Sequence, residues 1–265
     1  MSFQVPSRVL DNQEIAENTY ETFLEAPQIA QRVKPGQFIN ILPSHSWGNV
    51  MRRPMSVAGT DGKAISIIYK AVGPGTVQMS KWKKGEEADI IGPLGNCWSD
   101  FEQYPVIIGG GVGIAPILFL HNHLLSLGKA HHMVMGARTK TEHFIDHDPE
   151  KGVLLCTDNG TLGIQGTVMD AIEQIRQDVG LENVKLFVCG PPAMMEATRI
   201  FSEKEDLPCD IALETVMACG FGICQGCTME YNETDLEGDS YRKKFGLVCL
   251  DGPVFNAKEI KTCYL

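Results

Sequence analysis

The chain has 265 residues, enough for about two domains, of which 43% are apolar and 21% charged. Those fractions are ordinary for a folded soluble protein and exclude a disordered chain. A net charge of −10 without any long basic run excludes a nucleic-acid partner, because binding to a phosphate backbone rests on neutralisation by Lys and Arg.

Residues 1–100 read as short strands parted by turn residues. The opening Met1-Ser-Phe-Gln-Val-Pro-Ser-Arg8 has no apolar core of the kind a signal peptide carries. Gly36-Gln-Phe-Ile-Asn-Ile-Leu42 alternates apolar and polar positions until Pro43-Ser44 breaks it. Met55-Ser-Val-Ala58 and Ala64-Ile-Ser-Ile-Ile-Tyr69 follow around the turn Thr60-Asp-Gly-Lys63, and Ala88-Asp-Ile-Ile91 runs into Gly92-Pro93. Repeated short strands with regular turn signals predict a sandwich or a barrel. Within it, Arg52-Arg53-Pro54-Met55-Ser56 offers a guanidinium and a hydroxyl able to hold a pyrophosphate. Taken alone, two arginines before a proline read equally as a solvated loop. Gly73-Pro-Gly75-Thr76 reads as a turn ahead of a short helix.

The pattern changes near Phe101. Pro105-Val-Ile-Ile108 is a short buried strand that enters Gly109-Gly-Gly-Val-Gly113-Ile-Ala-Pro116, and residues 114–127 have the length of a helix. Strands at 132–136, 153–156 and 183–189 alternate with helices at 167–179 and 193–204. Strands alternating with helices predict βαβ units and a parallel sheet. The longest apolar stretch, residues 106–120, holds four glycines and a proline. It is shorter than the ~20 residues a membrane-spanning helix needs, so a cytoplasmic protein without a membrane contact is expected.

The glycine turn brings backbone N–H groups and a helix start towards a pyrophosphate, although it departs from G-x-G-x-x-G and an ordinary tight turn competes. Cys189-Gly190-Pro191-Pro192 closes another strand, where ligands of open parallel sheets bind; a small thiol before Gly-Pro leaves room for a flat ring. A buried structural cysteine explains that motif as well. His131-His132, at the start of a strand, reads as a surface feature, and none of the seven histidines has ligand-like spacing.

Nine cysteines is an odd count, unlike a disulfide framework. Cys97, Cys156, Cys189, Cys209 and Cys263 are scattered, whereas Cys219, Cys224, Cys227 and Cys249 fall within thirty-one residues. Their spacing, C-x4-C-x2-C with a distant fourth, is the plant-type arrangement for a [2Fe–2S] cluster. Gly220, Gly222 and Gly226 let the backbone curl around the inorganic core and present N–H groups to sulfur. A redox-silent zinc site on the same four thiols is the competing reading, although zinc usually takes two short Cys pairs.

Arg53-Pro-Met-Ser56, Gly75-Thr76, Gly109-Gly-Gly-Val-Gly113-Ile-Ala-Pro116 and Cys189-Gly-Pro191 occur in an order that resembles the ferredoxin–NADP reductase superfamily. The added cysteine segment and its ending, Cys249-Leu-Asp-Gly-Pro-Val-Phe255, are similar to the electron-transfer subunits of dihydroorotate dehydrogenase B. The resemblance covers essentially the whole chain. It implies an FAD-binding β-barrel at 1–100, an NAD-binding α/β domain with a parallel sheet at 101–215, and a small [2Fe–2S] domain at 216–265. FAD would be held by Arg53, Pro54, Met55 and Ser56, by Ile68, Tyr69 and Lys70, and by Gly75 and Thr76. The superfamily often has an aromatic residue where Met55 stands, so Tyr69 is expected to offer a ring instead. Gly109, Gly110, Gly111, Gly113, Gly190 and Pro191 would serve NAD, with Cys189 near the nicotinamide as the candidate catalytic residue.

The implied partner is an FMN-containing catalytic subunit, in a heterotetramer of two plus two. Electrons from dihydroorotate would pass from that FMN through the cluster and FAD to NAD⁺, a step of pyrimidine (UMP) biosynthesis. The three cofactors suit one another, because a nicotinamide moves electrons in pairs, a cluster moves them singly, and a flavin does both. Two other readings share features with this one: a diaphorase subunit of an anaerobic sulfite reductase or hydrogenase, and a zinc-stapled, non-redox binding scaffold.

Overall fold

A computed structural model of the chain describes residues 1–44, 51–232 and 241–265. Its first six strands are β1 (Phe3–Ala16), β2 (Thr19–Glu25), β3 (Phe38–Leu42), β4 (Arg53–Thr60), β5 (Ala64–Lys70) and β6 (Glu87–Leu94). They close an antiparallel barrel in the order β1-β2-β5-β4-β3-β6, with the helical turns α1 (Pro27–Ala30) and α2 (Pro74–Met79) between strands. The choice left open between sandwich and barrel thus falls to the barrel. Strand alternation explains how it holds together. Ile39 and Ile41 of β3 and Ile65 and Ile67 of β5 point inward with Val9, Leu24 and Ile90, all fully buried. Each such side chain stabilises the fold by about 2 kcal/mol relative to leaving it in water. The intervening residues of β3, Phe38 and Asn40, face the opposite way and meet the rest of the molecule.

The second layer is a seven-stranded sheet of β7 (Tyr104–Gly110), β8 (His132–Ala137), β9 (Val153–Thr157), β10 (Ile164–Gln165), β11 (Val184–Cys189), β12 (Cys209–Ala212) and β15 (Val254–Asn256). The order is β10-β9-β8-β7-β11-β12-β15, parallel throughout except for the last strand. Helix α3 (Ile114–Ser126) covers one face through Ile117, Leu120 and Leu124. Helices α4 (Val168–Val179) and α5 (Pro192–Lys204) cover the other through Ala171, Ile172, Ile175 and Met195. Thr167 starts α4 as a capping box, its hydroxyl accepting from the N–H of Met169 while Asp170 accepts from its own N–H at 2.7 Å. Strand order reverses between β7 and β11, which is where such a sheet binds ligands.

The cysteine-rich segment adds only β13 (Thr228–Glu230), α6 (Tyr241–Lys244) and β14 (Phe245–Leu247) before returning to the sheet as β15. It does not pack by itself. Met229, Leu247, Val248 and Phe255 share one core with Val106 and Leu186 of the sheet and with Phe38 and Leu94 of the barrel. No helix among the described residues is long and apolar enough to cross a membrane.

Three local expectations need correction. Gly75 and Thr76 lie inside α2, with Gly73 as its N-cap, because Pro74 suits a first helical position better than a free turn. His131 is not a surface feature: it is buried, its ring 2.7 Å from that of His121 and 2.8 Å from the carbonyl of Lys129. Gly226 does not take the left-handed conformation; Gln225 does, at φ 57°, while Gly220 and Gly222 behave as expected at 80° and 85°.

Candidate functional site

A cleft of about 410 Å³ opens between the barrel and the ends of the sheet strands. Its barrel wall is Pro54, Met55 and Ser56 of β4, Ile68, Tyr69 and Lys70 of β5, and Thr76 of α2. Arg53 and Gly75 lie directly behind that wall: a Cβ on Gly75 would come within 2.9 Å of the Arg53 Nε. Arg52 is committed to Asp89 at 2.7 Å, whereas no acidic side chain among the described residues pairs with Arg53. The free charge beside the first turn of α2 therefore suits an anion. Tyr69 does not present its ring. The side chain is turned into the barrel, where its hydroxyl meets Thr22 and Asn12 at 3.3 Å and burial pushes the phenol up to about 12. What Tyr69 offers the cleft is backbone.

Lys70 leaves the barrel to pair with Glu142 at 2.7 Å, and Glu142 also takes Arg138 at 2.7 Å. Those two cations, Arg138 first, hold the Glu142 carboxyl down to about 2 against the opposing effect of burial. The link ties β5 to the short turn that follows β8.

The opposite wall is Val112 of the glycine turn together with Leu213, Glu214, Thr215 and Met217, which follow β12. Sequence reasoning missed this segment because β12 is four residues long and carries no turn motif; only the alternation in Cys209-Asp-Ile-Ala212 signals it. Glu214 exposes its side chain to the cleft while protein crowds it elsewhere, and desolvation raises its carboxyl above the usual range.

The two nucleotide motifs meet side by side. Gly109 pairs with Cys189 in the β7–β11 register, and a Cβ on Gly113 would lie 2.4 Å from the Cys189 carbonyl oxygen. Only glycine permits that approach. Gly110 and Gly190 are covered by Met194, so Gly109, Gly110, Gly111 and Gly113 form one floor with Gly190 and Pro191 at the carboxyl ends of the strands. Cys189 is 2% exposed and is not part of the cleft wall. Burial, and then the charge of Glu214, push its thiol well up, so it stays protonated.

The four clustered cysteines come together beside this cleft, two residues beyond Met217. Cys227 and Cys249 are buried with sulfurs 3.1 Å apart, while Cys219 is half-buried and Cys224 exposed. Each sulfur receives a backbone N–H: Cys219 from Cys224 at 3.4 Å, Cys224 from Gly226 at 3.5 Å, Cys227 from Cys249 at 3.5 Å, and Cys249 from Gly222 at 3.2 Å. Burial alone would raise Cys219, but the N–H groups of Cys224, Phe221 and Ile223 bring it down to about 6. Among the described residues no three or more His, Cys, Asp or Glu side chains gather as around a single metal ion. The thiols lie instead as two pairs, Cys219 with Cys224 and Cys227 with Cys249. Two thiolates for each of two irons, every sulfur already solvated by an amide, is a donor set that fits a [2Fe–2S] cluster.

Comparison with known proteins agrees with this geometry. The family model described as the iron–sulfur cluster binding domain of dihydroorotate dehydrogenase B matches residues 214–261, and an oxidoreductase NAD-binding domain matches residues 107–199. The chain is 35% identical over 263 residues to the dihydroorotate dehydrogenase B (NAD(+)) electron transfer subunit of Caldanaerobacter subterraneus subsp. tengcongensis, covering 98% of this chain and 99% of that one. It is 34% identical to the protein of the same name from Bacillus cereus strain Q1, over 95% of this chain and 96% of the relative. Among solved structures, that of an electron-bifurcating NADH-dependent reduced ferredoxin–NADP oxidoreductase superposes with a TM-score of 0.82 at 26% identity, over 97% of this chain and 90% of that one. A ferredoxin reductase of carbazole 1,9a-dioxygenase, at 19% identity and a TM-score of 0.64 over 78% of this chain and 67% of that one, shares the fold.

Proposed function

The chain belongs to the family of dihydroorotate dehydrogenase B (NAD(+)) electron-transfer subunits, and from that premise we propose how its residues divide the work and which partner they serve. It is an oxidoreductase subunit that uses FAD, an iron–sulfur cluster and NAD. Bound together, these groups exchange the electron pair of a hydride for single electrons and back.

The chain's own residues prepare that exchange. Pro54, Met55, Ser56, Ile68, the backbone of Tyr69 and Lys70, and Thr76 form the bed for FAD in the cleft. Arg53 stands over Gly75 to meet the pyrophosphate. Gly111 presents exposed backbone to the nucleotide with Pro191 beside it, while the buried Gly109, Gly110, Gly113 and Gly190 let the strands and the turn pack closely beneath that surface. Cys189 shapes that space as a neutral buried thiol, and desolvation raises the Glu214 carboxyl where it faces the cleft. Cys219, Cys224, Cys227 and Cys249 hold the cluster.

The partner is an FMN-containing catalytic subunit, and the assembly holds two subunits of each kind. Phe221, Ile223 and Leu250 are exposed apolar side chains around the exposed Cys224, which marks the face that the partner covers. The observation that carries this reading is the N–H on every one of the four sulfurs, in a loop that starts from the wall of the cleft. Coexpression with the FMN subunit tests it. Dihydroorotate-dependent NAD⁺ reduction should require both chains, and its absence from a flavin- and iron-replete complex would reject this partner in favour of a sulfite reductase or hydrogenase.

A further inference from the structure

Asn40 occupies an unexpected place for an asparagine. It sits in the middle of β3, fully buried, on the barrel's outer face. Its Nδ2 donates to the carbonyl of Cys219 at 2.8 Å and lies 3.5 Å from that of Ala218. Both acceptors are carbonyl oxygens, so the amide orientation is settled by its surroundings. Its Oδ1 is buried and has no hydrogen-bond partner among the described residues. An apolar residue of similar size would fill the position without stranding an oxygen, so stability does not account for the amide.

Its location suggests what does. Asn40 stands directly opposite Pro54 in the β3–β4 ladder, and Pro54 lines the cleft. Phe38, two residues earlier on the same strand, lines it too, at a backbone separation of about 7 Å. The loop that Asn40 grips follows Met217, another part of the cleft wall. Gly220 is pressed so close that a Cβ there would meet Nδ2 at 2.7 Å. One hydrogen bond and one ladder rung therefore join the first cluster cysteine to the flavin bed.

We propose that Asn40 is a positioning residue for electron passage: its amide fixes the Cys219 loop against the flavin-bearing barrel, setting the spacing between cleft and cluster. This inference rests on the reading of the cleft as the flavin site and of the cysteines as cluster ligands.

The test uses the holoprotein with Asn40→Leu, Asn40→Met and Asn40→His. Leucine and methionine keep bulk without a donor, and histidine restores a ring N–H in the same place. In the wild type, flavin and iron content are measured first; lack of either sinks the parent reading rather than this one. Asn40→Leu and Asn40→Met should speed amide exchange at residues 220–224 and alter the anisotropy of the reduced-cluster EPR signal. After mixing with NADH, appearance of that signal should lag flavin reduction by roughly tenfold or more beyond the wild-type lag, the penalty expected of misplaced redox partners. Asn40→His should restore all three. Wild-type EPR, exchange and lag in Asn40→Leu overturn the proposal. If Asn40→Leu does not retain flavin and iron, Asn40→Met decides by the same measurements, and failure of both to fold shows a purely structural residue and also overturns it.

Discussion

The barrel and the cysteine segment solve the problem of holding a redox group in opposite ways. The barrel closes on itself through six strands, and its interior is a run of buried Ile, Leu and Val contributed by strand alternation. Its cleft wall is a by-product of that rigid frame. The cysteine segment has strands of only three residues, borrows its core from the sheet and the barrel, and spends its backbone amides on sulfur. One region is shaped by apolar burial, the other by the chemistry of what it holds. Damage to each should therefore spread differently.

The largest expected effect lies in the cysteine segment. Cys227→Ser removes a buried sulfur that closes one of the two pairs, so iron retention should fall by more than about a hundredfold. Electron transfer to the partner should stop, while NADH oxidation by artificial acceptors survives because the cleft is built elsewhere. Iron assay, EPR and steady-state rates check this, and joint loss of both activities would break the contrast between the regions. Cys224→Ser should act in the same direction from the exposed side.

Ile67→Ala is the barrel's counterpart. Deleting a fully buried side chain should cost about 2–5 kcal/mol, read as a lower Tm and easier FAD loss. The EPR spectrum of molecules that remain folded should not change. A shifted spectrum would show that the two regions are less independent than their construction implies.

Gly113→Ala sharpens the comparison at the nucleotide floor, where the new Cβ would collide with the Cys189 carbonyl. Overpacking of that kind costs about 1–3 kcal/mol, and NAD affinity should fall with it, measured by calorimetry. FAD and iron content should stay at wild-type levels.

The smallest effect is on the acid limb of stability. Glu142 is depressed from 4.5 to about 2, so its contribution is present above the ordinary carboxylate value and is lost as pH falls from about 4.5 towards about 2. Acid unfolding of Glu142→Gln should lack that component and show weaker pH dependence in this window. The change is small because Arg138, the larger cause of the shift, is largely exposed to solvent.

Much of this was written locally. The alternating run 36–42, the helix spans near 114–126 and 168–179, and the cysteine spacing each follow from neighbours in the chain, and the structure places them where that pattern puts them. Gly220 and Gly222 are left-handed for the reason their loop position suggests. Residues without a local signature escaped. Glu214 faces the cleft only because β12 ends there, and His131 is buried only because α3 brings His121 against it.

By itself, then, the sequence determined the strand and helix periodicities, the spacing of the four clustered thiols and the glycine turn, since each depends on contacts between residues close in the chain. Only the tertiary structure decided that Tyr69 turns inward, that Lys70 crosses to Glu142, and that Asn40 grips the Cys219 loop. Those outcomes depend on which side of a strand meets which distant surface, and a pattern of period two states only that faces alternate, not what each face will meet.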